Sequence, residues 1–273
     1  MAEPLPRNQR GERPLRLAVG LALGLALLVG AWPVAALRAS ELIQTIKRVK
    51  PSVVGIGTFQ ATRRPPVRLL GTGFAVADGS HVITSKHVLP ASVDRERKEF
   101  VAVFTASGRK GLARPATTVA VDDEHDLVVL KIAGKPLPAL TLGDDTQLQE
   151  GQRIAITGFP IGPVLGLHAA THRGIVAAIA PASIPQISAK RLDARMIKEL
   201  RARAPVFQLD ATAFPGNSGS PFYDAETGVV YGVINSVFVK ETKERILQEP
   251  SGITYATPIR YARALLRELG LAQ

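Results

Sequence analysis

The segment Phe214–Pro221, FPGNSGSP, sets one serine in surroundings that suit nucleophilic chemistry. Ser218 lies between Gly216 and Gly219, which allow a tight turn that presents a hydroxyl group. Such a turn also leaves backbone N–H groups free to bind an anion. A presented nucleophile beside an oxyanion hole from the same loop is the arrangement that acyl transfer requires. Gly-Asn-Ser-Gly also forms ordinary turns, so the assignment depends on residues upstream.

A histidine and an aspartate upstream have the side chains needed for a base and an orienting carboxylate. His87 follows the strand-like run His81–Thr84, and Asp126 precedes the strand-like run Leu127–Ile132. The chain order His87, Asp126, Ser218 is that of the chymotrypsin-type triad. Each residue alone has an ordinary structural interpretation, but their combination in this order indicates catalysis.

The three segments together resemble the trypsin-like serine proteases of the HtrA/Deg group. The matching motifs are GTGF at 71–74, T-x-x-H-V at 84–88, D-L-x-x-L-K at 126–131 and GNSG at 216–219. The resemblance runs from about Lys47 to about Leu269. The chain departs from the pattern at Ser220, where the family usually has glycine, and at Ser85-Lys86.

The resemblance implies a fold and a set of site residues. The fold is all-β, with two six-stranded antiparallel β-barrels, short N- and C-terminal helices and an active site between the barrels. The implied catalytic residues are His87, Asp126 and Ser218. The implied oxyanion hole is formed by Gly216, Asn217 and Ser218, in which Asn217 shapes the loop and the other two residues supply N–H donors.

The resemblance also implies a substrate pocket. Its predicted lining is Thr212, Ala213, Phe214, Ile234, Asn235 and Ser236. Thr212 takes the place near the pocket floor where an acidic residue would select Arg or Lys. We therefore expect cleavage after small or medium aliphatic residues of unfolded proteins or peptides, and we assign nearby Asp210 to structure. Many HtrA proteins continue into a PDZ domain, and we expect none after Leu269 here. Relatives of this group are often trimers, so the resemblance also implies a homo-oligomer.

Plentiful glycine and proline, with short apolar runs between turn residues, favour the same all-β body. The runs of the first barrel are Val53–Phe59, Gly71–Val76, His81–Thr84, Phe100–Thr105, Thr117–Val121 and Leu127–Ile132. Those of the second are Arg153–Gly158, His172–Ile179, Val206–Leu209, Pro221–Tyr223, Val229–Val239 and Thr254–Thr257. Amphipathic patterns predict helices at Glu41–Lys50 and Ile259–Leu269, and a basic helix at Ala189–Ala204. The predicted domain boundaries are 37–140 for the first barrel and 141–273 for the second.

The first 36 residues have the composition of a targeting segment. Four arginines precede an uncharged apolar run, Leu17–Leu37, which suits either a secretory signal cleaved after Ala36 or a single membrane anchor. In both cases the body lies outside the cytoplasm, and periplasmic or extracytoplasmic localisation is expected. Membrane attachment through residues 17–37 follows if the segment is not cleaved.

Composition limits the other function classes. The chain has no cysteine, and its five histidines have no metal-ligand spacing, so we expect neither thiolate chemistry nor a metal or other cofactor. The formal net charge is +11, but no aromatic residues interleave with the basic ones, so we expect no nucleic-acid partner. Two alternatives stay open: an inactive protease-shaped binding module, to which Ser220 points, and a basic anchored scaffold that binds acidic polymers through Ala189–Ala204.

Overall fold

A computed structural model describes residues 41–107, 110–160, 167–181, 205–235 and 253–271. All of these except residues 41–43 belong to one compact unit, Gln44–Gln273. The predicted targeting segment, the basic helix at Ala189–Ala204 and the pocket residue Ser236 lie outside the described residues. Within the described ranges, no helix is both long and apolar enough to cross a bilayer.

The first six strands close into a barrel in the order β1-β2-β3-β6-β5-β4, with antiparallel neighbours throughout. Short runs of β-branched and aliphatic residues form these strands because alternate side chains can enter one closed core. Val54, Ile56, Val82 and Leu130 belong to that core. The strands are β1 (Val53–Phe59), β2 (Val67–Val76), β3 (His81–Ser85), β4 (Phe100–Ser107), β5 (Lys110–Asp122) and β6 (Leu127–Ile132).

The second six strands close into a barrel in the order β10-β11-β12-β9-β8-β7, also with antiparallel neighbours. Its core includes Ile154, Ile156, Phe207 and Phe222, and the last two rings meet edge to face at 5.6 Å. The strands are β7 (Arg153–Gly158), β8 (Ala170–Pro181), β9 (Pro205–Asp210), β10 (Pro221–Asp224), β11 (Val230–Ile234) and β12 (Ile253–Pro258). The predicted double-barrel, all-β fold is confirmed.

Some strands are longer than the sequence predicted. The predicted strand Thr117–Val121 is the second half of β5, which already begins at Lys110. The first half of β5 pairs with β4 and the second half with β6. Pro115 lies where the pairing changes from one neighbour to the other, so its missing N–H leaves neither ladder short of a donor. Proline and glycine hid this half of the strand from a pattern-based prediction.

Both predicted terminal helices are present. Helix α1 spans 41–49 and is followed by a 3₁₀ turn, Lys50–Ser52, so Pro51 changes the helix type where the sequence predicted a stop. Helix α2 (Ile259–Glu268) packs against β5 and β6 of the first barrel and β11 and β12 of the second. The buried carboxylate of Asp145, in the link between the barrels, accepts hydrogen bonds from Arg260 N at 3.0 Å and Arg260 Nε at 2.6 Å. The helix thereby ties the two barrels together.

Candidate active site

A 3₁₀ turn, Lys86–Val88, follows β3 and carries His87 out of the first barrel. The His87 side chain makes contact with Asp126, which lies at the start of β6, because β3 and β6 are neighbours in the sheet. His87 Nδ1 lies 2.5 Å from Asp126 Oδ2, and the His87 backbone N donates to Asp126 Oδ1 at 2.9 Å. An ionised carboxylate can only accept, so the neutral ring carries its proton on Nδ1 and leaves Nε2 as an acceptor.

The Asp126 backbone has a conformation that few residues adopt. Its φ of 56° lies in the left-handed region, where aspartate is one of the tolerated non-glycine residues. The Asp126 carbonyl accepts the Lys86 N–H at 2.9 Å. Backbone and carboxylate of Asp126 are thus both bonded to the turn that carries His87, so the orientation of the imidazole is set by local hydrogen bonds.

A third donor reaches Asp126 from the second barrel. Asn235, directly after β11, donates from Nδ2 to Asp126 Oδ2 at 3.0 Å. The sequence placed Asn235 among the pocket residues and did not predict this contact. The two residues are 109 positions apart, and only the packing of one barrel against the other brings them together.

The Ser218 segment folds as two successive turns. Asn217 N donates to Phe214 O at 2.9 Å across Pro215-Gly216, and Ser220 N donates to Asn217 O at 2.9 Å across Ser218-Gly219. Gly216 has a φ of 101° and Gly219 a φ of 83°. Positive φ at the third residue of each turn is the mark of type II turns, for which glycine is the usual choice. Ser218 therefore lies between two turns whose glycines hold defined backbone conformations.

Two N–H groups of the Ser218 turns, those of Gly216 and Ser218, have no backbone acceptor among the described residues. The Asn217 N–H is already used within the first turn, so Asn217 shapes the loop while its neighbours remain able to donate. Ser218 as a whole is only 8% exposed, less than a serine at the tip of an open turn. An anion bound here would meet N–H donors in surroundings that largely exclude water, where such bonds are strong.

Thr72, in the GTGF segment of β2, contacts the Ser218 turns from the first barrel. Its N–H donates to Ser218 O at 2.9 Å, and its hydroxyl donates to Gly216 O at 2.7 Å. The same hydroxyl accepts the Phe159 N–H at 3.0 Å. Sequence reasoning used the GTGF motif for family resemblance only and did not identify Thr72 as part of the site.

The residues predicted to line the pocket have different surroundings. Thr212, Ala213 and Phe214 are half-buried and lead into the first turn. The Ile234 side chain is fully buried in the core of the second barrel. Ile234 contacts the turns through its backbone. Its carbonyl accepts the Gly219 N–H at 2.8 Å, and its N–H donates to Ser220 O at 2.9 Å.

His172, in β8, lies against the predicted pocket. Its ring is 5.8 Å from that of Phe214, in a tilted arrangement, and its Nε2 is buried without a hydrogen-bond partner. Burial lowers the pKa of His172 below its usual value, because the imidazolium ion would lose its hydration. The ring is therefore neutral at physiological pH and acts as an apolar support for Phe214.

The other two histidines of the first barrel have structural surroundings. His81 Nδ1 lies 2.8 Å from Asp78 Oδ1, and that hydrogen bond lowers the pKa of Asp78. His125 Nδ1 lies 2.7 Å from Asp122 Oδ2, and its ring stacks on Tyr261 of α2 at 3.6 Å. Both side chains have partners away from the Ser218 turns, in keeping with the structural role that the sequence suggested.

A family model described as a trypsin-like peptidase domain matches residues 71–233. A relative named probable periplasmic serine endoprotease DegP-like, from Halomonas elongata, is 29% identical over 202 residues, which are 74% of this chain and 35% of that protein. A protein of the same name from Chlamydia muridarum is 31% identical over 217 residues, covering 79% of this chain and 37% of that protein. The chain thus spans about a third of the length of these curated relatives.

A solved structure titled HtrA-type protease AlgW with tripeptide has the same fold. Its TM-score with this chain is 0.59 at 25% sequence identity, and the match covers 84% of this chain and 63% of that one.

Proposed function

The chain belongs to the trypsin-like peptidase domain family, and on that premise we propose that it is a serine endopeptidase that uses His87, Asp126 and Ser218. The observation that carries this proposal is the set of three hydrogen bonds to the Asp126 carboxylate: two from His87, at 2.9 and 2.5 Å, and one from Asn235 of the second barrel, at 3.0 Å. His125 makes a similar pair of bonds to Asp122, so what distinguishes His87 is the third bond, which joins the His87–Asp126 pair to the barrel that carries Ser218. In the proposed site the Ser218 turns supply the nucleophile, and the N–H groups of Gly216 and Ser218, which have no backbone acceptor within the described part of the chain, supply the oxyanion donors.

In the proposed mechanism Ser218 Oγ attacks the carbonyl carbon of a peptide bond, and His87 Nε2 accepts the hydroxyl proton. The negative charge moves to the carbonyl oxygen, where the N–H groups of Gly216 and Ser218 stabilise it; one such donor typically contributes about 3–4 kcal/mol of barrier lowering. The carbon–nitrogen bond then breaks, and His87 returns the proton to the leaving amine. A water molecule, deprotonated by His87, then attacks the acyl carbon, the ester bond to Ser218 Oγ breaks, and His87 returns the proton to Ser218 as the carboxylic acid product leaves.

Asp126 holds His87 throughout these steps and remains ionised. Its two oxygens accept three hydrogen bonds, from His87 N, His87 Nδ1 and Asn235 Nδ2. The carboxylate stabilises the imidazolium that forms when His87 takes the serine proton. Because Asn235 comes from the second barrel, the Asp126 carboxylate accepts hydrogen bonds from both barrels.

We further propose that the substrates are unfolded proteins or peptides outside the cytoplasm. The apolar run Leu17–Leu37 and the periplasmic names of the relatives support that location. The residue at the expected pocket floor is Thr212 and not an acidic residue, so a buried Lys or Arg of the substrate would lack an oppositely charged partner there. We therefore propose cleavage after small or medium aliphatic residues.

Replacement of the nucleophile tests the proposal. The full chain should cleave fluorescein-labelled casein and react with a fluorophosphonate, and Ser218→Ala should do neither while keeping the same circular dichroism spectrum and melting temperature. Mass spectrometry of the casein products should place most cuts after aliphatic residues. Cleavage that survives in purified Ser218→Ala would refute the nucleophile, whereas a wild-type chain that takes up no fluorophosphonate would support the inactive binding module.

A further inference from the structure

Thr72 uses its N–H and its hydroxyl in bonds to the Ser218 turns. It is fully buried, and its N–H and hydroxyl reach the carbonyls of Ser218 and Gly216 at 2.9 and 2.7 Å. Its own carbonyl accepts the Thr84 hydroxyl at 2.6 Å, which fixes Thr72 within the first barrel. The hydroxyl also accepts the Phe159 N–H at 3.0 Å, from the residue after β7 of the second barrel.

We propose that Thr72 is a positioning residue that sets the oxyanion-binding turns relative to His87. The peptide that carries the Ser218 N–H lies between the two carbonyls that Thr72 holds, those of Gly216 and Ser218. Holding both neighbours fixes the plane of the peptide between them. Gly216 has no side chain of its own to resist rotation; its peptide with Asn217 is held at the N–H by Phe214 O within the turn and at the carbonyl by the Thr72 hydroxyl from outside.

The position of Thr72 explains why this control is exerted from the first barrel. Thr72 is in β2, a direct neighbour of β3, and β3 leads into the turn that carries His87. The same sheet therefore fixes the base and, through Thr72, the nucleophile and its N–H donors. A displacement of about 1 Å between such groups lowers rates about 100-fold. Loss of the Thr72 hydroxyl should thus slow the chemical step and leave the binding of reagents intact.

The experiment compares three variants of the full chain in their reaction with a fluorophosphonate. Thr72→Val keeps the shape of the side chain and removes the hydroxyl, and Thr72→Ser keeps the hydroxyl and removes the methyl group. Thr45→Val is the matched control, because Thr45 is also fully buried and its hydroxyl also donates to a backbone carbonyl, Glu226 O at 2.6 Å, while accepting from Arg48 Nη2 at 3.0 Å. Thr45 lies in α1, away from the Ser218 turns.

We expect Thr72→Val to lower the maximal rate of Ser218 modification about 10- to 100-fold without a change in the half-saturating reagent concentration. Thr72→Ser should react at close to the wild-type rate. Thr45→Val should lose stability and keep its reaction rate. The pH at which the rate reaches half of its maximum should be the same in Thr72→Val as in wild type, because the bonds between His87 and Asp126 are untouched.

Equal rates in folded Thr72→Val and wild type would overturn the inference. Equal losses in Thr72→Val and Thr72→Ser would overturn it too, because they would show that any change of packing at this position slows the reaction, whether or not the hydroxyl is present. If Thr72→Val does not fold, Thr72→Ala replaces it in the comparison with Thr72→Ser, and equal rates in those two variants refute the hydroxyl's role. The inference rests on the proposed function, but the two fail differently: a wild-type chain without fluorophosphonate uptake refutes the proposed function alone.

Discussion

Gly158, the last residue of β7, lies against the back of the Ser218 turns at a distance that leaves no room for a side chain. A Cβ atom added there would overlap Ser220 Oγ and would lie 2.9 Å from Asn217 Oδ1 and 3.0 Å from Thr72 Oγ1. Both Ser220 and Asn217 are fully buried, so neither can move out into solvent. We expect Gly158→Ala to destabilise the chain by about 1–3 kcal/mol, the usual cost of overpacking a filled interior.

The predicted cost depends on one atom. Ser220 Oγ is buried and has no hydrogen-bond partner among the residues that the structure describes, and it is the atom nearest to the added Cβ. Ser220→Ala removes that atom and also removes the cost of an unsatisfied buried hydroxyl, about 1–3 kcal/mol before the loss of packing is subtracted. In Gly158→Ala/Ser220→Ala we therefore expect part of the lost stability to return, with a coupling energy of about 1–2 kcal/mol. The contacts with Asn217 and Thr72 remain, so recovery is incomplete.

The assay is a double-mutant cycle read by urea unfolding of the full chain, with fluorophosphonate uptake measured in parallel. Ser52→Ala is the matched control, since Ser52 Oγ is likewise buried and without a partner but lies in the 3₁₀ turn after α1. Gly158→Ala/Ser52→Ala should be additive within about 0.5 kcal/mol. Additivity of Gly158→Ala with Ser220→Ala would refute the reasoning, because it would mean that the two atoms do not compete for one space.

Two further changes test the charges of the first barrel. Hydrogen bonds from the Thr58 hydroxyl, the Asp94 N–H and the Arg63 guanidinium hold the pKa of Glu99 at about 2, below its ordinary 4.5. Because the pKa of Glu99 is lower in the folded chain than in the unfolded chain, ionised Glu99 stabilises the fold fully above about pH 4.5, and this stabilisation is lost as the pH falls towards 2. The difference in unfolding free energy between wild type and Glu99→Gln should therefore shrink over that pH interval. A difference independent of pH would contradict it. Asn235→Ala removes one of three hydrogen-bond donors to the Asp126 carboxylate. Since a hydrogen bond to a charged group contributes about 1.5–3 kcal/mol, casein cleavage should slow about tenfold or more. An unchanged rate would show that Asn235 has no part in catalysis.

The sequence predicted the fold because the information for each strand is local. Apolar runs such as Leu127–Ile132 are bounded by turn residues, and β6 has those bounds in the structure. The candidate residues were found for the same reason: Ser218 lies between glycines, and His87 and Asp126 each lie beside a recognisable strand. Local pattern did not predict that Ser218 would be largely buried, because the atoms that cover it come from distant segments.

Sequence reasoning missed Thr72 and placed Asn235 only in the pocket lining, so it predicted neither of the contacts that these two residues make across the interface between the barrels. Thr72 lies 144 residues from Gly216, whose carbonyl it holds, and Asn235 lies 109 residues from Asp126. Threonine in a strand and asparagine after a strand are ordinary in composition, so neither signals a function by type or spacing. Only the packing of two closed sheets gives these side chains their partners.

The interface between the barrels brings the two halves of the candidate site together and also fixes the Ser218 turns through hydrogen bonds. Ser85 Oγ donates to Ile234 O at 3.2 Å, and the same carbonyl accepts the Gly219 N–H at 2.8 Å, so a residue two positions before His87 and a residue after Ser218 share one acceptor. The Thr72 hydroxyl bonds Gly216 O to the first barrel directly, and on the other side of Ser218 the link runs through Ile234 O of the second barrel, which accepts from both Gly219 and Ser85. Since the Thr72 and Ser85 bonds cross the interface between the barrels, a small rotation of one barrel against the other would shift Ser218 relative to His87 before any strand separates. The geometry of the site thus depends on how the barrels pack together. Substitutions at the interface between the barrels should therefore change the reaction rate more than they change the unfolding free energy of either barrel.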